Sequence, residues 1–425
     1  MLSKYSKAVS LIATLLVPFG LLHAFVLAEI CIGITDALFA LEMLRQTSFS
    51  WTKKKWFIFA ILWWVWLLFC STPLPLSGFG VAGWRISFAG ALVVIRLLVF
   101  ALALQSWVLT TARAQRLLWL MLALSCLWIG VECWQQYLTG KNIFGNHRWP
   151  DGALTGPFWK PRAGALFGHL IFVALLPPVL WLHNRPEIWL RVGGYALVIL
   201  GVVTSVLIGQ RMGVVDTLLG LVLLALLVAP LRRATIFAVI AGSAVLLATP
   251  IIAPSTHAKL VGETSRQISH FTESPYGELW TRATTMGLAS PWHGWGYNGF
   301  RVNCPQERFA SGLPALGIAP TTIELGSCNL HPHNYYLQAF TDAGVPGLIL
   351  FTLMNLALVG ASFPGWGRGQ EPLRIASFIG VFTFTWPFGS TDEFPTLYIL
   401  GWMFLLTGLA LAPDRIAEAP IKDAA

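Results

Sequence analysis

Two histidines lie immediately before a long apolar stretch, in the segment His331-Pro-His-Asn-Tyr-Tyr. An imidazole changes its charge near neutral pH, so it can accept a proton from a hydroxyl group. Asn334 can cap a helix that begins there, and Gly344 and Gly347 allow that helix to pack closely in a membrane. Taken singly, a histidine at this place is more often a capping or interfacial residue. The whole segment predicts a general base, and His333, beside Asn334, is preferred over His331.

Several cations stand beside apolar stretches, where they could hold an anion. Arg211 lies in the very short connection Gly209-Gln-Arg-Met-Gly213 between two such stretches. Its charge is balanced either by Asp216, about one helical turn later, or by a bound anion. The other candidates are Arg282, Lys160, Arg162 and Arg301. Singly, such residues are more often solvated helix residues or membrane anchors. As a set with few acidic neighbours they favour a phosphate-rich lipid head group, because an arginine fork can bind two phosphate oxygens.

The composition places these residues in a membrane protein. Of the 425 residues, 56% are hydrophobic and only 11% are charged, and the mean hydropathy is +0.67. A soluble surface needs about a quarter charged residues, so a single soluble domain is excluded and nucleic-acid binding is not expected. At about 20 residues per spanning helix, we predict an all-α polytopic membrane protein with about 12 transmembrane helices.

The apolar stretches and the basic residues together predict a topology. The stretches lie near residues 8–22, 25–43, 56–71, 86–106, 116–138, 164–182, 189–208, 213–230, 234–253, 336–361, 373–390 and 395–413. If Met1 is cytoplasmic, every predicted cytoplasmic segment carries at least two Lys or Arg residues, as the positive-inside rule requires. We expect the first stretch to be a retained anchor rather than a cleaved signal peptide, with both termini in the cytoplasm.

Three parts of the chain follow from this topology. Residues 1–253 hold nine predicted spans, residues 254–335 form a large outside loop, and residues 336–425 hold three spans and a cytoplasmic tail. Residues 139–163 form a second long outside segment. Connections beyond about 15 residues are usually functional or disordered. The large loop contains a predicted helix, Ser274 to Leu288, so we expect the catalytic elements there.

Cys304 and Cys328 are the cysteines that this topology places outside the membrane. A disulfide between them is one reading if the compartment is oxidising. Two packed thiols are the other, because spacing alone does not show that the side chains meet.

The histidine segment resembles the signature of the O-antigen ligase family. That signature has His followed by Asn, and then a Gly-x-x-Gly pair, here His333, Asn334, Gly344 and Gly347. The wider group that the pattern indicates also holds O-antigen polymerases and protein O-oligosaccharyltransferases.

Three other elements resemble that family and occur in the same order. Pro291 to Phe300 resembles its P-x-x-G-x-G-x-x-x-F element, and Trp280 to Ala283 resembles its W-x-x-A-like helix. Gly209 to Gly213 resembles its short S-R-G-like turn, with Gln210 where Ser is common. The resemblance covers essentially the whole chain, although the histidine segment is its most specific part.

The resemblance implies a metal-independent, inverting glycosyltransferase without a cofactor, similar to the C-type fold, in a bacterial inner membrane. The donor would be an O-antigen chain on undecaprenyl diphosphate, and the acceptor the lipid A core, at the periplasmic face. His333 would be the base, while Arg211 and Arg282 would stabilise the leaving diphosphate. The residues expected to bind substrate are Lys160, Arg162, Arg301, His331 and Asn334. Cations would replace the metal of other glycosyl transfers, since the sequence has no Asp-x-Asp.

Three alternatives stay open at the level of the sequence. An O-antigen polymerase would use the same donor with another lipid-linked chain as acceptor. A protein O-oligosaccharyltransferase typically has a longer chain with an additional soluble part. A lipid-oligosaccharide flippase would need polar residues distributed through its spans, whereas the polar content of this chain is concentrated in one outside loop.

Overall fold

The computed structural model describes residues 2–46, 50–73, 84–321, 328, 331–366, 371–389, 393–394 and 396–413. These residues form helices and connections, and no β-strand occurs among them. The predicted cytoplasmic tail beyond residue 413 lies outside the described residues. An all-helical membrane protein is the architecture that the composition predicts.

The α-helices outside the predicted large loop follow the predicted apolar stretches. In chain order they are α1 (Leu2–His23), α2 (Phe25–Gln46), α3 (Lys55–Cys70), α4 (Trp84–Val93), α5 (Ile95–Ala103), α6 (Ala112–Thr139), α7 (Ala163–His183), α8 (Ile188–Ile208), α9 (Arg211–Leu227), α10 (Arg232–Ile252), α11 (Pro254–His257), α12 (Thr264–Ser269), α13 (Pro275–Ala289), α14 (Gly299–Asn303), α15 (Tyr335–Ser362), α16 (Pro372–Thr385) and α17 (Leu397–Ala410). A π-helical segment, Leu104–Val108, continues α5. Each of the predicted stretches contains at least part of an α-helix.

Within the described part of the chain, seven helical stretches are long and apolar enough to cross a membrane. They are Lys4–His23, Trp84–Val108, Ala112–Thr139, Ala163–His183, Ile188–Ile208, Ala229–Ile252 and Tyr335–Ser362. Shorter apolar helices are Lys55–Cys70, Pro372–Thr385 and Leu397–Ala410. The twelve-span topology stays a prediction.

The surface of α3 shows how such helices are arranged. Its exposed apolar residues are Ile58, Leu62, Val65 and Phe69, and its buried ones include Trp56, Ala60, Trp63 and Leu67. Both sets repeat every three or four residues, so each forms one face of the helix. One apolar face packs in the bundle while the other is uncovered, an arrangement that is stable in lipid and not in water.

One end of the bundle, which we call the motif end, carries residues 139–162, 209–211, 254–321 and 331–335. There Leu154 N donates to Ile208 O at 2.9 Å, which joins the first of these segments to the end of α8. The predicted outside segments therefore converge.

Two further contacts tie helix ends together at the motif end. The Tyr137 hydroxyl donates to Ile252 O at 3.1 Å and joins the ends of α6 and α10. Tyr297 N donates to Ser71 Oγ at 3.0 Å and joins the large loop to the end of α3.

A charged pair lies inside the predicted spans. Arg96 on α5 donates from Nη2 to Glu29 Oε1 at 2.7 Å and from Nε to Oε2 at 2.9 Å. Paired charges are the usual form in which ionisable residues occur at membrane depth. The pair neutralises both side chains and joins α2 to α5.

Helix α15 is broken at Gly344, although the sequence predicts one continuous span over residues 336–361. Gly344 has φ 66° and ψ −166°, a backbone region that is essentially restricted to glycine. A Cβ atom there would lie 2.6 Å from Pro291 O and 2.7 Å from Trp292 C. Instead, Val345 N donates to Pro291 O at 2.7 Å. The loop backbone therefore occupies the space that the glycine leaves.

The break also leaves carbonyl groups that the loop satisfies. Pro346 has no N–H group and cannot bond the carbonyl of Asp342 in the preceding turn. Gly296 N donates to Asp342 O, and Trp295 N donates to Thr341 O, each at 2.8 Å. The P-x-x-G-x-G element and the histidine helix thus form one interlocked unit.

We expect Gly344→Ala to destabilise the protein, because alanine does not tolerate this backbone and its Cβ atom would collide with Pro291 O. The backbone strain alone costs about 1–3 kcal/mol. Thermal unfolding of the detergent-purified variant measures the loss. Gly360→Ala is the matched control, since Gly360 lies in the same helix with open space around it. Equal stability of the two variants would refute this account of the break.

Candidate active site

Asn334 caps α15 and fixes the direction in which the chain enters the helix. Its Oδ1 accepts hydrogen bonds from Tyr336 N and Leu337 N, both at 3.0 Å, as the sequence predicts for a cap. Its Nδ2 donates to Pro387 O at 2.7 Å, just beyond α16. Asn334 therefore joins α15 to the end of α16, and its binding of substrate stays a prediction.

His333 immediately precedes this cap and has an unusual backbone. Its φ is 52°, in the left-handed region that non-glycine residues seldom adopt. Its ring packs edge-on against Tyr276, with ring centres 5.3 Å apart, and lies 4.2 Å from the ring of His331. Such backbone strain clusters at functional sites. The half-buried imidazole is thus held in one place at the motif end.

Tyr276 reaches His333 because α13 lies beside α15. The predicted helix of the large loop is confirmed as α13, and Ser274 is its cap, with Oγ accepting from Gly277 N at 3.1 Å. The cap determines where the helix begins, so it determines where the Tyr276 ring lies in the first turn. The loop helix thereby forms one wall beside the imidazole.

Arg211 is balanced by the large loop and not by Asp216. Its Nη2 donates to Glu263 Oε2 at 3.2 Å, and its Nη1 donates to the side-chain oxygen of Gln267. Asp216 instead faces His169, with its Oδ2 3.7 Å from the ring Nε2. The Arg211 side chain is 23% exposed. An anion that binds Arg211 would therefore take the place of a loop carboxylate.

Glu263 belongs to a segment of the loop, residues 254–269, that we call the strap. Most strap residues are exposed. Lys259 in the strap forms an ion pair with Asp151. Ser255 packs so closely on Gly152 that a Cβ atom at the glycine would lie 2.3 Å from the serine side chain. The strap thus joins the large loop to the segment 139–162 beside Arg211.

Lys160 and Arg162 lie at the start of α7 and rest on aromatic rings. Lys160 is exposed, with Nζ 4.5 Å from the ring centre of Trp159. The Arg162 guanidinium lies 3.8 Å from the ring centre of Tyr398. The rings fix the positions of both charges.

Gln210 brings this basic pair next to the Arg211 turn. Its Nε2 donates to Pro161 O, and its Oε1 accepts from Ala165 N at 3.1 Å. A serine side chain is too short to bridge both groups. The residue that departs from the family's turn therefore clamps the start of α7 beside Arg211.

Arg282 is buried in the loop, with only 5% of its surface exposed. Its Nε donates to Thr321 Oγ1 at 2.9 Å, and its Nη1 donates to Cys304 O. Burial lowers the pKa of Arg282, while the nearby Glu278 carboxylate opposes that shift. These contacts tie α13 to the segment that follows α14.

Cys304 and Cys328 form a disulfide, with Cα atoms 5.4 Å apart. Both residues are fully buried in a small apolar core that also contains Leu279, Ala283, Met286, Trp295, Phe300 and Phe309. The sequence left open a disulfide or two packed thiols, and the structure contains the disulfide.

Arg301 and His331 line a small open cleft beside the histidine pair. Arg301 Nη2 donates to Glu393 Oε2 at 3.0 Å. His331 is 8% exposed. The structure thus brings His331, His333 and Arg301 to one side of the motif end, and Arg211, Lys160 and Arg162 to the neighbourhood of the strap.

A model of the O-antigen ligase family matches residues 196–352. The match runs from α8 through the Arg211 turn and the large loop into α15. The chain carries an O-antigen ligase domain. This confirms the resemblance over residues 196–352, and the apolar helices together with the domain indicate a multi-pass membrane protein. A search of curated proteins found no match to the chain.

The O-antigen ligase domain contains two residues beside the predicted site that the sequence did not single out. Tyr276 contacts His333, and Glu263 contacts Arg211. A further such residue, Glu393, lies outside the domain, in the short connection between α16 and α17. The sequence could have indicated Glu393, because a short connection between two apolar helices does not need a charged residue.

We expect Cys304 and Cys328 to resist a thiol reagent until a reductant is added, because they are bonded. Replacing both by serine should lower stability by about 3 kcal/mol for a closed loop of this length. Labelling is best measured after the buried cysteines of the helices, Cys31, Cys70, Cys126 and Cys133, are replaced by alanine. Full labelling of both loop cysteines without reductant would refute the bond.

Proposed function

We propose that the protein transfers an O-antigen chain from undecaprenyl diphosphate to the lipid A core. The reaction would take place at the periplasmic face of a bacterial inner membrane, invert the anomeric carbon and need no metal. The observation that carries this proposal is His333, held in a strained backbone conformation at the start of α15 within the O-antigen ligase domain. Arg211 lies in the same domain and at the same end of the bundle.

In the proposed reaction, an acceptor hydroxyl attacks the anomeric carbon of the donor. His333 accepts the hydroxyl proton as the new C–O bond forms. The bond between the anomeric carbon and the diphosphate breaks, and its electron pair stays on the diphosphate oxygen. Cations beside that oxygen stabilise the developing charge. A single in-line displacement of this kind inverts the anomeric carbon.

Arg211 is the proposed ligand of the leaving diphosphate, with Lys160 and Arg162 beside it. A diphosphate carries more negative charge than a carboxylate and offers oxygens to both arms of the guanidinium. It can therefore displace Glu263, which is 41% exposed and belongs to an exposed strap. The Gln210 clamp supports the grouping of the three cations.

Arg282 has a narrower role in this proposal than the sequence predicts. Its guanidinium is occupied by Cys304 O and the Thr321 hydroxyl inside the loop. We therefore propose that Arg282 positions the loop against α15. Asn334 acts in a similar way by fixing the direction of His333.

The purified protein should transfer glycan from an undecaprenyl diphosphate donor to rough lipopolysaccharide in the presence of EDTA. Transfer to a lipid-linked glycan in place of rough lipopolysaccharide would indicate a polymerase. We expect His333→Ala to lower the rate about 100-fold or more, the usual effect of losing a general base. His331→Ala should have the smaller effect. Gel mobility of the product glycolipid measures both.

His270→Ala is the control for this experiment, since His270 is an exposed loop histidine just after the strap. Near-normal transfer by His333→Ala would eliminate His333 as the base. Loss of transfer in EDTA would contradict a metal-independent reaction.

Two substitutions should move the donor KM in opposite directions. Arg211→Lys keeps a charge but loses the fork, so the KM for donor should rise about tenfold, as for one lost charged hydrogen bond. Glu263→Gln removes the competing carboxylate and should lower that KM. Steady-state rates with varied donor measure both, with Glu273→Gln as the control because Glu273 is an exposed acid of the same loop. Normal donor kinetics in Arg211→Lys would assign the arginine a structural role only.

A further inference from the structure

The turn between α16 and α17 carries a carboxylate that the proposed reaction does not use. Glu393 is mostly buried, with 13% of its side chain exposed, whereas its partner Arg301 is 48% exposed. The two are joined at 3.0 Å. The Arg301 guanidinium is therefore accessible, while the Glu393 carboxylate that it contacts is mostly buried.

Glu393 is fixed relative to the histidine segment by the residue that follows it. Phe394 N donates to Gln338 Oε1, and Gln338 Nε2 donates to Phe394 O, both at 2.8 Å. Gln338 lies one helical turn after Asn334 on α15. The Phe394 ring also packs edge-on against Tyr335, with ring centres 5.5 Å apart. The carboxylate is thus held in place by the same helix that begins at His333.

Glu393 and Arg301 form part of the lining of the cleft beside the histidine pair. Its polar lining residues are Asn298, Arg301, His331, Gln338, Asp342 and Glu393. The ring of His331 lies 4.2 Å from that of the proposed base. A molecule in this cleft would therefore lie next to His333.

The charges of the cleft do not suit a diphosphate. At Arg211 the competing carboxylate, Glu263, lies on an exposed strap, so an incoming anion can displace it. At Arg301 the carboxylate is mostly buried, and Gln338 fixes the backbone of the adjacent Phe394, so an incoming anion would meet a fixed like charge. The cleft fits a neutral ligand that can both donate and accept hydrogen bonds.

A sugar with neighbouring hydroxyl groups has this chemistry. A hydroxyl donates to a carboxylate, which only accepts, and its oxygen accepts from a guanidinium, which only donates. We infer that the cleft binds a sugar of the acceptor, with Glu393 accepting from one hydroxyl and Arg301 donating to the next. This inference rests on the proposed function and names the acceptor side of the same site.

The inferred subsite would also position the reacting hydroxyl next to His333. A sugar fixed by Glu393 and Arg301 has little freedom to rotate, so a hydroxyl on its other side is presented to His333. Fixing two reacting groups in one geometry removes much of the entropy cost of bringing them together. Glu393 then contributes to the acceptor affinity without taking the proton.

Glu393→Gln tests the inference, since it keeps the shape of the side chain and removes its charge. We expect the KM for rough lipopolysaccharide to rise about tenfold, as for one lost hydrogen bond to a charged group. The KM for the undecaprenyl diphosphate donor should stay unchanged. Rates are measured with one substrate varied and the other saturating. Glu307→Gln is the matched control, because Glu307 is an exposed acid elsewhere in the loop.

A second variant distinguishes loss of acceptor binding from loss of folding. Arg301→Gln removes the exposed partner of Glu393 and leaves both hydrogen bonds between Gln338 and the Phe394 backbone intact. It should therefore raise the acceptor KM in the same way. Thermal unfolding of each variant identifies loss of structure. An unchanged acceptor KM in a folded Arg301→Gln protein, or an equal rise in the donor KM, would overturn the inference. If the unaltered protein transfers glycan to neither rough lipopolysaccharide nor a lipid-linked glycan, the proposed function itself fails.

Discussion

Backbone hydrogen bonds across the break at Gly344 join the large loop to the membrane helices. Without this break the loop would have no open backbone groups to bind on α15. The break is itself held from the side, since Trp66 Nε1 on α3 donates to Ala343 O at 2.8 Å. Through this junction α13 lies beside α15, and Tyr276 reaches His333. The position of the imidazole is therefore a consequence of backbone geometry about ten residues further along the chain.

Local patterns predicted the parts of the fold that depend on neighbouring residues. Long apolar runs gave the positions of the helices, because a helix in lipid must be apolar over its length. The caps at Ser274 and Asn334 were also predictable, since a cap satisfies N–H groups two or three residues away. The histidine segment identified the candidate base for the same reason, as its residues are adjacent in the sequence.

Contacts between distant residues were not predictable in this way. Pro346 signals an interruption of α15 in the sequence itself, but the loop segment that fills the break lies about 50 residues earlier in the chain and could not be identified from it. Arg211 pairs with Glu263, which is 52 residues away, and not with the nearby Asp216. Glu393 lies in a short connection, and its partner Arg301 is 92 residues away in the sequence. Such pairings depend on how the helix ends are arranged in space.

The two sides of the junction at Gly344 are synthesised in a fixed order. A chain is made from its N-terminus, and its domains generally form in that order. The loop segment that begins at Pro291 is therefore synthesised before α15, and its donors are present when the broken helix arrives. The small apolar core around the disulfide can likewise gather most of its residues beforehand. The carbonyl groups left open by the break in α15 therefore have hydrogen-bond donors available as soon as α15 is synthesised. The last helices then pack against a loop that has already been synthesised.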